Sequence, residues 1–436
     1  SMLSGILYVL DEPSIGLHPK DQGRLIKTLE KLKNLDNTVV VVEHEREIID
    51  KADFIIDLGP GAGENGGEVI YAGDSAEFSK CRESLTASYL KGEKKIPRPG
   101  RRRIPGKIPL AVRNAECNNL KKISLKIPSE VMVCITGVSG SGKSTLVHEV
   151  LYCNLRRFRR NSYAEPQYCE AIDGWEQFSE VILVDQSPIG KTPRSNPATY
   201  LKIFDQIRKI FAALPESAGR GFGPSAYSFN RPGGRCESCQ GSGIFSVDMQ
   251  FLADVQLPCE ACKGRRYGDE ILGVRYKGKN IVEVLDMTVN EAMTFFRSNK
   301  VVTRGLKVLD SVGLGYLRLG QPSTNLSGGE AQRIKLASFL ASKTTAGALF
   351  IFDEPTTGLH FEDIKKLLDS FNKLLENRSS LIIIEHNLEV IKCADWIIDL
   401  GPGGGEKGGE IVSAGTPEAL VQVSNSATGS FLKKLL

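Results

Sequence analysis

The chain of 436 residues is long enough for two to four domains, and its 41% apolar and 25% charged residues are ordinary for a globular protein. It has no run of 18 uninterrupted apolar residues and no secretory signal after Ser1-Met2-Leu3, so neither a membrane span nor a disulfide-built secreted scaffold is expected. The net charge of +4 permits nucleic-acid binding without arguing for it, and two C-x-x-C pairs among ten cysteines favour metal ligation in a reducing, cytoplasmic compartment.

The chain opens on an apolar strand that ends in acids. Residues 8–18 read YVLDEPSIGLH, and residues 350–360 read FIFDEPTTGLH. The same offset of 342 carries Glu43-His44 onto Glu385-His386, Ile55–Gly61 onto Ile397–Gly403 and Ser84–Leu90 onto Ser426–Leu432 without a gap. This is an internal duplication. The second copy has a phosphate loop about 210 residues before its D-E-P motif, whereas the first has only ten residues before Asp11. The expectation is a C-terminal piece of a longer protein; the alternative is decay of one copy. Copy one keeps the acids and histidines of its motifs, which favours the piece. Between the copies, residues 91–109 hold eight cations, including Arg101, Arg102 and Arg103, against Glu93 alone, and four prolines. They read as an extended linker, a solvated tether in preference to a nucleic-acid contact.

In copy two, Leu120–Ile127 alternates apolar and polar residues and reads as a half-buried strand. Val131–Ile135 reads as a buried strand and Leu146–Arg157 as a helix. Between them stands Gly137-Val138-Ser139-Gly140-Ser141-Gly142-Lys143-Ser144-Thr145, a phosphate loop of the form G-x-x-x-x-G-K-[ST] in the strand–loop–helix context it needs. The glycines let backbone N–H groups face phosphate oxygens, and the helix N-terminus adds a favourable dipole. Lys143 supplies a charge for the β/γ-phosphates and Ser144 a hydroxyl ligand for Mg²⁺. Arg156, Arg157, Arg159 and Arg160 suit the dipole at the helix end or form a DNA-facing patch.

Val181–Gln186 reads as a strand ending on a polar pair, where Gln186 can reach a metal or an attacking water. The loop after it, with Lys191 and Arg194, is either a phosphate contact or an ordinary basic surface. Cys236, Cys239, Cys259 and Cys262 follow as C-x₂-C-x₁₉-C-x₂-C, a zinc-ribbon spacing, with hairpin-like alternation over Ile244–Leu257. Four thiolates make a closed structural site with no open catalytic position. The hairpin tip is a candidate nucleic-acid probe. Residues 289–319 look helical, and Leu326-Ser327-Gly328-Gly329-Glu330 opens a helix expected over Ala331–Ser342, with Ser-Gly-Gly as a second anion-binding nest. Leu349–Phe352 is a buried strand ending at Asp353 and Glu354, a Mg²⁺-water carboxylate and a general base. Leu381–Ile384 is the next, ending at Glu385-His386, where the histidine can reach a γ-phosphate. Of five histidines, only His148 lies outside the G-L-H and E-H motifs.

Phosphate loop, strand-end glutamine, L-S-G-G-E, D-E-P and E-H in this order resemble the ATP-binding-cassette ATPases. The paired-cysteine insertion, the phrase DQSPIGKTPRSNPATY at 185–200 and the duplicated DEPxxGLH narrow the resemblance to the UvrA family, the damage-sensing ATPase subunits of bacterial nucleotide excision repair. It covers essentially the whole chain. It implies ATP, Mg²⁺ and Zn²⁺ as cofactors, the zinc on Cys236, Cys239, Cys259 and Cys262. Lys143, Ser144, Gln186, Asp353, Glu354 and His386 would serve the C-terminal ATP site, and Asp11, Glu12 and His44 the N-terminal one. Each cassette site joins one copy's phosphate loop to the other's signature, so Ser327, Gly328 and Gly329 would complete the N-terminal site; this chain holds half of each site and is expected to bind ATP weakly and hydrolyse it poorly alone. The implied catalytic set is Glu354, His386, Gln186, Glu12 and His44. The implied partners are double-stranded DNA, especially damaged DNA, a UvrB-type helicase through an N-terminal half not in this sequence, and a second copy of the protein.

The fold expected is therefore α/β, of the ATP-binding-cassette P-loop class. It comprises the end of a first cassette at 1–90, a linker at 91–109 and a second cassette at 110–436. The signature and insertion region runs about 150–345 and the zinc hairpin about 230–268. The main alternative is a related paralogue acting in antibiotic or damage tolerance without the helicase. A transporter cassette and a non-catalytic DNA scaffold are further rivals. No aromatic residue stands where cassettes stack adenine, so base recognition is unassigned.

Overall fold

The computed structural model describes residues 4–61, 66–247, 255–342 and 346–436. These divide into two compact units, Ser1–Asp185 with Lys343–Leu436, and Gln186–Ser342. Among the described residues no helix is long and apolar enough to cross a membrane.

In the first unit, copy one contributes β1 (Leu7–Asp11) parallel to β2 (Thr38–Val42), and β3 (Phe54–Gly59) antiparallel to β4 (Glu68–Asp74). Copy two contributes β5 (Leu110–Ala115), β6 (Ile123–Ile127), β7 (Met132–Gly137), β8 (Ala171–Asp173) and β9 (Val181–Val184). The second unit holds β10 (Ile244–Val247) and β11 (Val255–Pro258). Copy two then finishes with β12 (Leu349–Asp353), β13 (Ser380–Ile384), β14 (Trp396–Gly401) and β15 (Glu410–Gly415). Its main sheet runs β15-β14-β7-β13-β12-β9, parallel except for β15. A smaller antiparallel sheet runs β6-β5-β8.

The apolar runs are continuous because the main sheet is covered on both faces. The phosphate-loop strand β7 lies between β13 and β14, and the helix after it lays Leu146, Val147, Val150 and Leu151 on the sheet with Leu349, Ile351, Ile382 and Ile398. That helix opens as a π-helix over Thr145–Tyr152 and becomes α-helical at Cys153–Arg160. Periodicity at this length does not separate the two forms.

The duplication holds element by element, but its burial does not. Leu349 and Ile351 are 1% and 0% exposed, while their copy-one counterparts Leu7 and Val9 are 62% and 67% exposed. The cause is local. Copy two covers these positions with β7, its helix and the β6-β5-β8 sheet, and the described residues of copy one contain no such elements. Each fully buried Leu or Ile contributes roughly 1.5–3 kcal/mol, so this packing decides where the core lies.

The basic stretch 91–109 is not a free tether. Arg102 donates to Ala394 O (2.9 Å) and Glu418 Oε1 (2.7 Å). Arg103 N donates to Asp395 Oδ1 (2.9 Å) and its Nη2 to Asn372 Oδ1 (2.8 Å), and Ile96 is buried. Interrupted by prolines, the segment forms no helix or strand of its own, and these arginines fasten it to the copy-two body.

In the second unit, the helix Lys300–Ser311 packs on Ile203–Ala212 and on Gly328–Ala341. The region expected to be helical over 289–319 is two helices, Val289–Phe295 and Lys300–Ser311, each capped by the side chain before it, Thr288 and Asn299. β10 and β11 form the expected antiparallel hairpin, pairing Ile244 with Pro258 through Val247 with Val255. The tip proposed as a probe lies outside the described residues.

Candidate nucleotide site and metal centre

The equivalent strands β1 and β12 of the two copies end in the same turn. Glu12 and Glu354 have φ of 43° and 44°, left-handed values that are uncommon for non-glycine residues. Such strain persists where neighbours over-determine it. Glu12 N donates to Val42 O (2.9 Å) and Glu354 N to Ile384 O (3.0 Å). His44 Nε2 stands 3.6 Å from Glu12 Oε1, and His386 Nε2 3.7 Å from Glu354 Oε1.

The glutamate of each E-H pair is a clamp rather than a reactive acid. Glu385 Oε1 accepts from Thr356 N (3.1 Å) and Thr356 Oγ1 (2.6 Å), and Oε2 from His386 N and Asn387 N (both 2.9 Å). Glu43 likewise accepts from Ser14 N (3.0 Å), His44 N (3.0 Å) and Glu45 N (3.3 Å). Each holds its D-E-P loop and its histidine in one frame.

The histidines of the two G-L-H motifs cross between copies. His18 Nδ1 accepts from Lys20 N (3.1 Å) and so caps its own helix, while Nε2 meets Thr428 Oγ1 of copy two at 3.1 Å. Thr428 and Ser426 in turn donate to Asp399 (2.8 and 2.6 Å). His360 repeats the arrangement onto Thr86 of copy one (3.3 Å), with Thr86 and Ser84 on Asp57 (3.2 and 2.6 Å). A Cβ on Gly16 would stand 3.2 Å from Glu354 Oε2, and one on Gly358 3.2 Å from Glu12 Oε1. The two D-E-P loops therefore interlock, around a cavity of about 50 Å³.

The phosphate loop lies against this junction. Gly137 (φ 134°) has no room for a side chain, since a Cβ would stand 2.1 Å from Leu400 O. Ser139 Oγ donates to Gly16 O (3.2 Å) and Ser139 N to Asp21 Oδ2 (3.3 Å), both in copy one. Lys143 is buried, with Nζ donating to Gly137 O (2.9 Å) and Val138 O (3.0 Å) of its own loop. Burial lowers its pKa to about 8, against the opposing pull of Glu354, Asp399, Asp21 and Asp353. Burial raises Glu354, Asp353 adds to the rise and Lys143 opposes it. His386 is pushed well down, first by burial and then by Lys143 and His18, so its imidazole is neutral. A partly desolvated carboxyl beside a neutral imidazole is suited to accept a proton from water.

The residues fit a nucleoside triphosphate. Ser141 Oγ in the loop and Nδ1 of His386 are buried without partners, and Gly137, Gly140 and Gly142 hold the positive-φ backbone (134°, 74° and 105°) that lets loop N–H groups converge on an anion. Ser144, at the helix N-cap, is exposed, and Thr145 accepts from Asn118 Nδ2 (3.3 Å). Asp353 is bonded to His148, a partner that the motif reading did not supply.

One difference between the copies is polar and paired. Copy one has Gln22 and Glu45 where copy two has Ile364 and Asn387. Gln22 hydrogen-bonds Glu45, and burial, with Glu47, Glu43 and Glu385 nearby, pushes Glu45 up to about 8. The folded chain then keeps this proton from about pH 4.5 to 8, while the unfolded chain loses it. Stability falls as pH rises through that window. Glu45→Gln should remove about 1–2 kcal/mol of this loss, a figure discounted because Glu45 is half-buried. Thermal melts at pH 5 and pH 8 check it; an unchanged difference between the two melts would mean that Glu45 is not the group.

In the second unit, Ser327 caps its helix through Glu330 N (3.2 Å), and Glu330 Oε2 accepts from Ser327 N (2.9 Å). This capping box already occupies part of the nest read from Ser327-Gly328-Gly329. Gln186 lies against it: a Cβ on Gly328 would stand 2.9 Å from Gln186 Oε1. Cys236, Cys239, Cys259 and Cys262 are all buried, with sulfurs within 4.8 Å of one another. The Cys236–Cys259 and Cys239–Cys262 separations are 4.0 and 3.7 Å. Zn–S bonds of about 2.3 Å in a tetrahedron place sulfurs roughly 3.8 Å apart, so the group fits zinc. Gly243 N and Arg266 N point at Cys239 and Cys262 sulfurs (3.3 and 3.4 Å), as thiolate ligands require.

No family model matches the chain. It is 54% identical over 436 residues to UvrABC system protein A of Aquifex aeolicus, covering 100% of this chain and 47% of that protein. It is 54% identical over 435 residues to the protein of the same name from Thermus thermophilus, covering 100% and 46%. The crystal structure of UvrA2 from Deinococcus radiodurans superposes with a TM-score of 0.93 at 45% identity, over 100% of this chain and 53% of that one. The chain spans about half the length of the curated relatives it matches. Its fold is the α/β ATP-binding-cassette fold, with a four-cysteine group that fits a zinc module.

Proposed function

We propose that this chain, similar from end to end to UvrABC system protein A, works as part of a DNA-damage-recognition ATPase of nucleotide excision repair. In this reading residues 1–90 end a first cassette, 91–109 link, and 110–436 form a second cassette with its signature and zinc hairpin. The observation that carries it is the interlock of two D-E-P loops beside one phosphate loop, because such a junction lets the state of one site be felt at the other. Identity of 54% with the relatives supports it further.

ATP, when bound, supplies the phosphoryl group to be transferred to water. Backbone N–H groups of Gly137–Thr145 bind the phosphates, and Lys143 leaves the Gly137 and Val138 carbonyls to meet them. Ser144 and Asp353 would hold Mg²⁺, which would neutralise phosphate charge, and Glu354 takes the proton from the attacking water. His386 and Gln186 orient the attack, and Asp11, Glu12 and His44 take the same roles for the other site. The four cysteines would hold Zn²⁺ and so stiffen a hairpin offered to DNA. The partners are double-stranded DNA, damaged DNA above all, a UvrB-type helicase and a second copy of the protein, in the cytoplasm.

The test is binding of this chain to matched intact and lesion-bearing duplexes across a salt series, with and without a zinc chelator. Lesion preference should vanish with zinc, leaving a steeply salt-dependent background from Lys and Arg. Equal affinity for both duplexes at every salt, with zinc in place, would overturn the damage-recognition reading.

A further inference from the structure

His148 belongs to none of the duplicated motifs, and the structure gives it a partner. It stands on the π-helical stretch Thr145–Tyr152, about one turn after Ser144. That helix follows β7 through the phosphate loop, and β12 lies two strands from β7 in the sheet. The ring reaches Asp353 at the end of β12, with Nε2 2.8 Å from Oδ2. A carboxylate only accepts, so Nε2 carries the hydrogen and donates. π-helical turns recur at functional sites because they displace one side chain from the α register.

A purely stabilising role explains this pair poorly. Both side chains are partly exposed, 26% and 31%, and pairs at such sites contribute little to stability. The other four histidines are otherwise engaged: His18 and His360 cap helices and cross between copies, and His44 and His386 face Glu12 and Glu354. What the His148 bond does fix is the plane of the Asp353 carboxylate. It also ties that carboxylate to the same helix whose N-cap, Ser144, supplies the hydroxyl.

We infer that His148 is a positioning residue for the divalent cation, holding Asp353 in the orientation that lets Asp353 and Ser144 serve one Mg²⁺. This rests on the reading of Ser144 and Asp353 as the magnesium-holding pair. Hydrogen-bond partners of metal-holding carboxylates typically change metal affinity 10–100-fold. The consequence falls on the cation, because the ring of His148 spends its hydrogen bond on Asp353, whereas ATP without metal would be bound by the phosphate-loop backbone.

The experiment titrates Mg²⁺ into the chain with a fluorescent ATP analogue and follows nucleotide binding, beside binding in EDTA. His148→Leu should raise the Mg²⁺ needed for half-maximal tightening about 10–100-fold, with EDTA binding within about twofold of the parent. His148→Gln, which keeps a donor, should recover most of the loss. Free Mn²⁺ counted by electron paramagnetic resonance should show the same order of affinities without any turnover. Thermal melts identify a variant that has merely lost its fold. Equal Mg²⁺ midpoints for the parent and folded His148→Leu would overturn the inference while leaving the nucleotide site standing. A parent chain that binds the analogue with no response to Mg²⁺ would overturn the reading of Ser144 and Asp353, and the inference with it.

Discussion

Glu354→Gln should retain ATP and almost stop turning it over. The position is held by the backbone rather than by the side chain. Its φ of 44° is fixed by the bond from Glu354 N to Ile384 O, and the clamp at Glu385 fixes the neighbouring histidine. Glutamine is nearly isosteric with glutamate, so the loop, the contact with Gly16 and the 3.7 Å approach of His386 survive the change. Only the ability to accept a proton is lost. A positioned general base contributes about 10²–10⁴-fold, so turnover should fall by that factor while bound nucleotide persists through gel filtration. Lys143→Ala is the complementary control and should release nucleotide, because it removes the one buried cation of the loop. If Glu354→Gln hydrolyses at the parent rate and releases nucleotide as fast, Glu354 is not the base, and the cassettes are better described as a scaffold.

Local chemistry was legible in the sequence to the extent that it is local. The phosphate loop needs its strand and helix within thirty residues, and both are there. The cysteine spacing sets a thiol tetrahedron almost by itself. The duplication fixed the order of strands in copy one, from β1 through β4, because an unbroken offset carries secondary structure with it. What could not be read depends on neighbours distant in the chain. Leu7 and Leu349 have the same pattern around them and opposite burial, since only the second is covered by β7 and its helix. His18 meets Thr428 more than four hundred residues away. The arginines at 102 and 103 look like a solvated run until Asp395, Asn372 and Glu418 are brought beside them. The one available signal was the repeat itself: His18, His360, Thr86, Thr428, Asp57 and Asp399 are all retained at the same offset, as a reciprocal contact requires.

Removing zinc should unfold the cysteine hairpin while the first unit keeps its nucleotide affinity. The hairpin has little else to hold it. Phe245, Val255 and Leu257 are all exposed, so the two described strands bury almost no apolar surface of their own. A two-stranded hairpin without such burial is marginal in water. What it does hold is the buried thiol cluster; just outside it Tyr267 meets Phe229 edge to face and Arg266 lies over the Phe229 ring. Structural zinc in small modules is worth about 10–16 kcal/mol at neutral pH, far more than those ring contacts provide. Chelation, or Cys259→Ser, should therefore expose the segment from Cys236 to Cys262 to limited proteolysis and release one zinc per chain. Nucleotide binding should be unaffected, because the phosphate loop and the D-E-P loops belong to the other compact unit. A hairpin that stays protease-resistant after complete metal loss would mean that the four thiols are ordinary buried cysteines. The damage-probing role assigned to the hairpin would then lose its physical basis, since a metal-free hairpin this poor in buried surface would owe its order to some other partner.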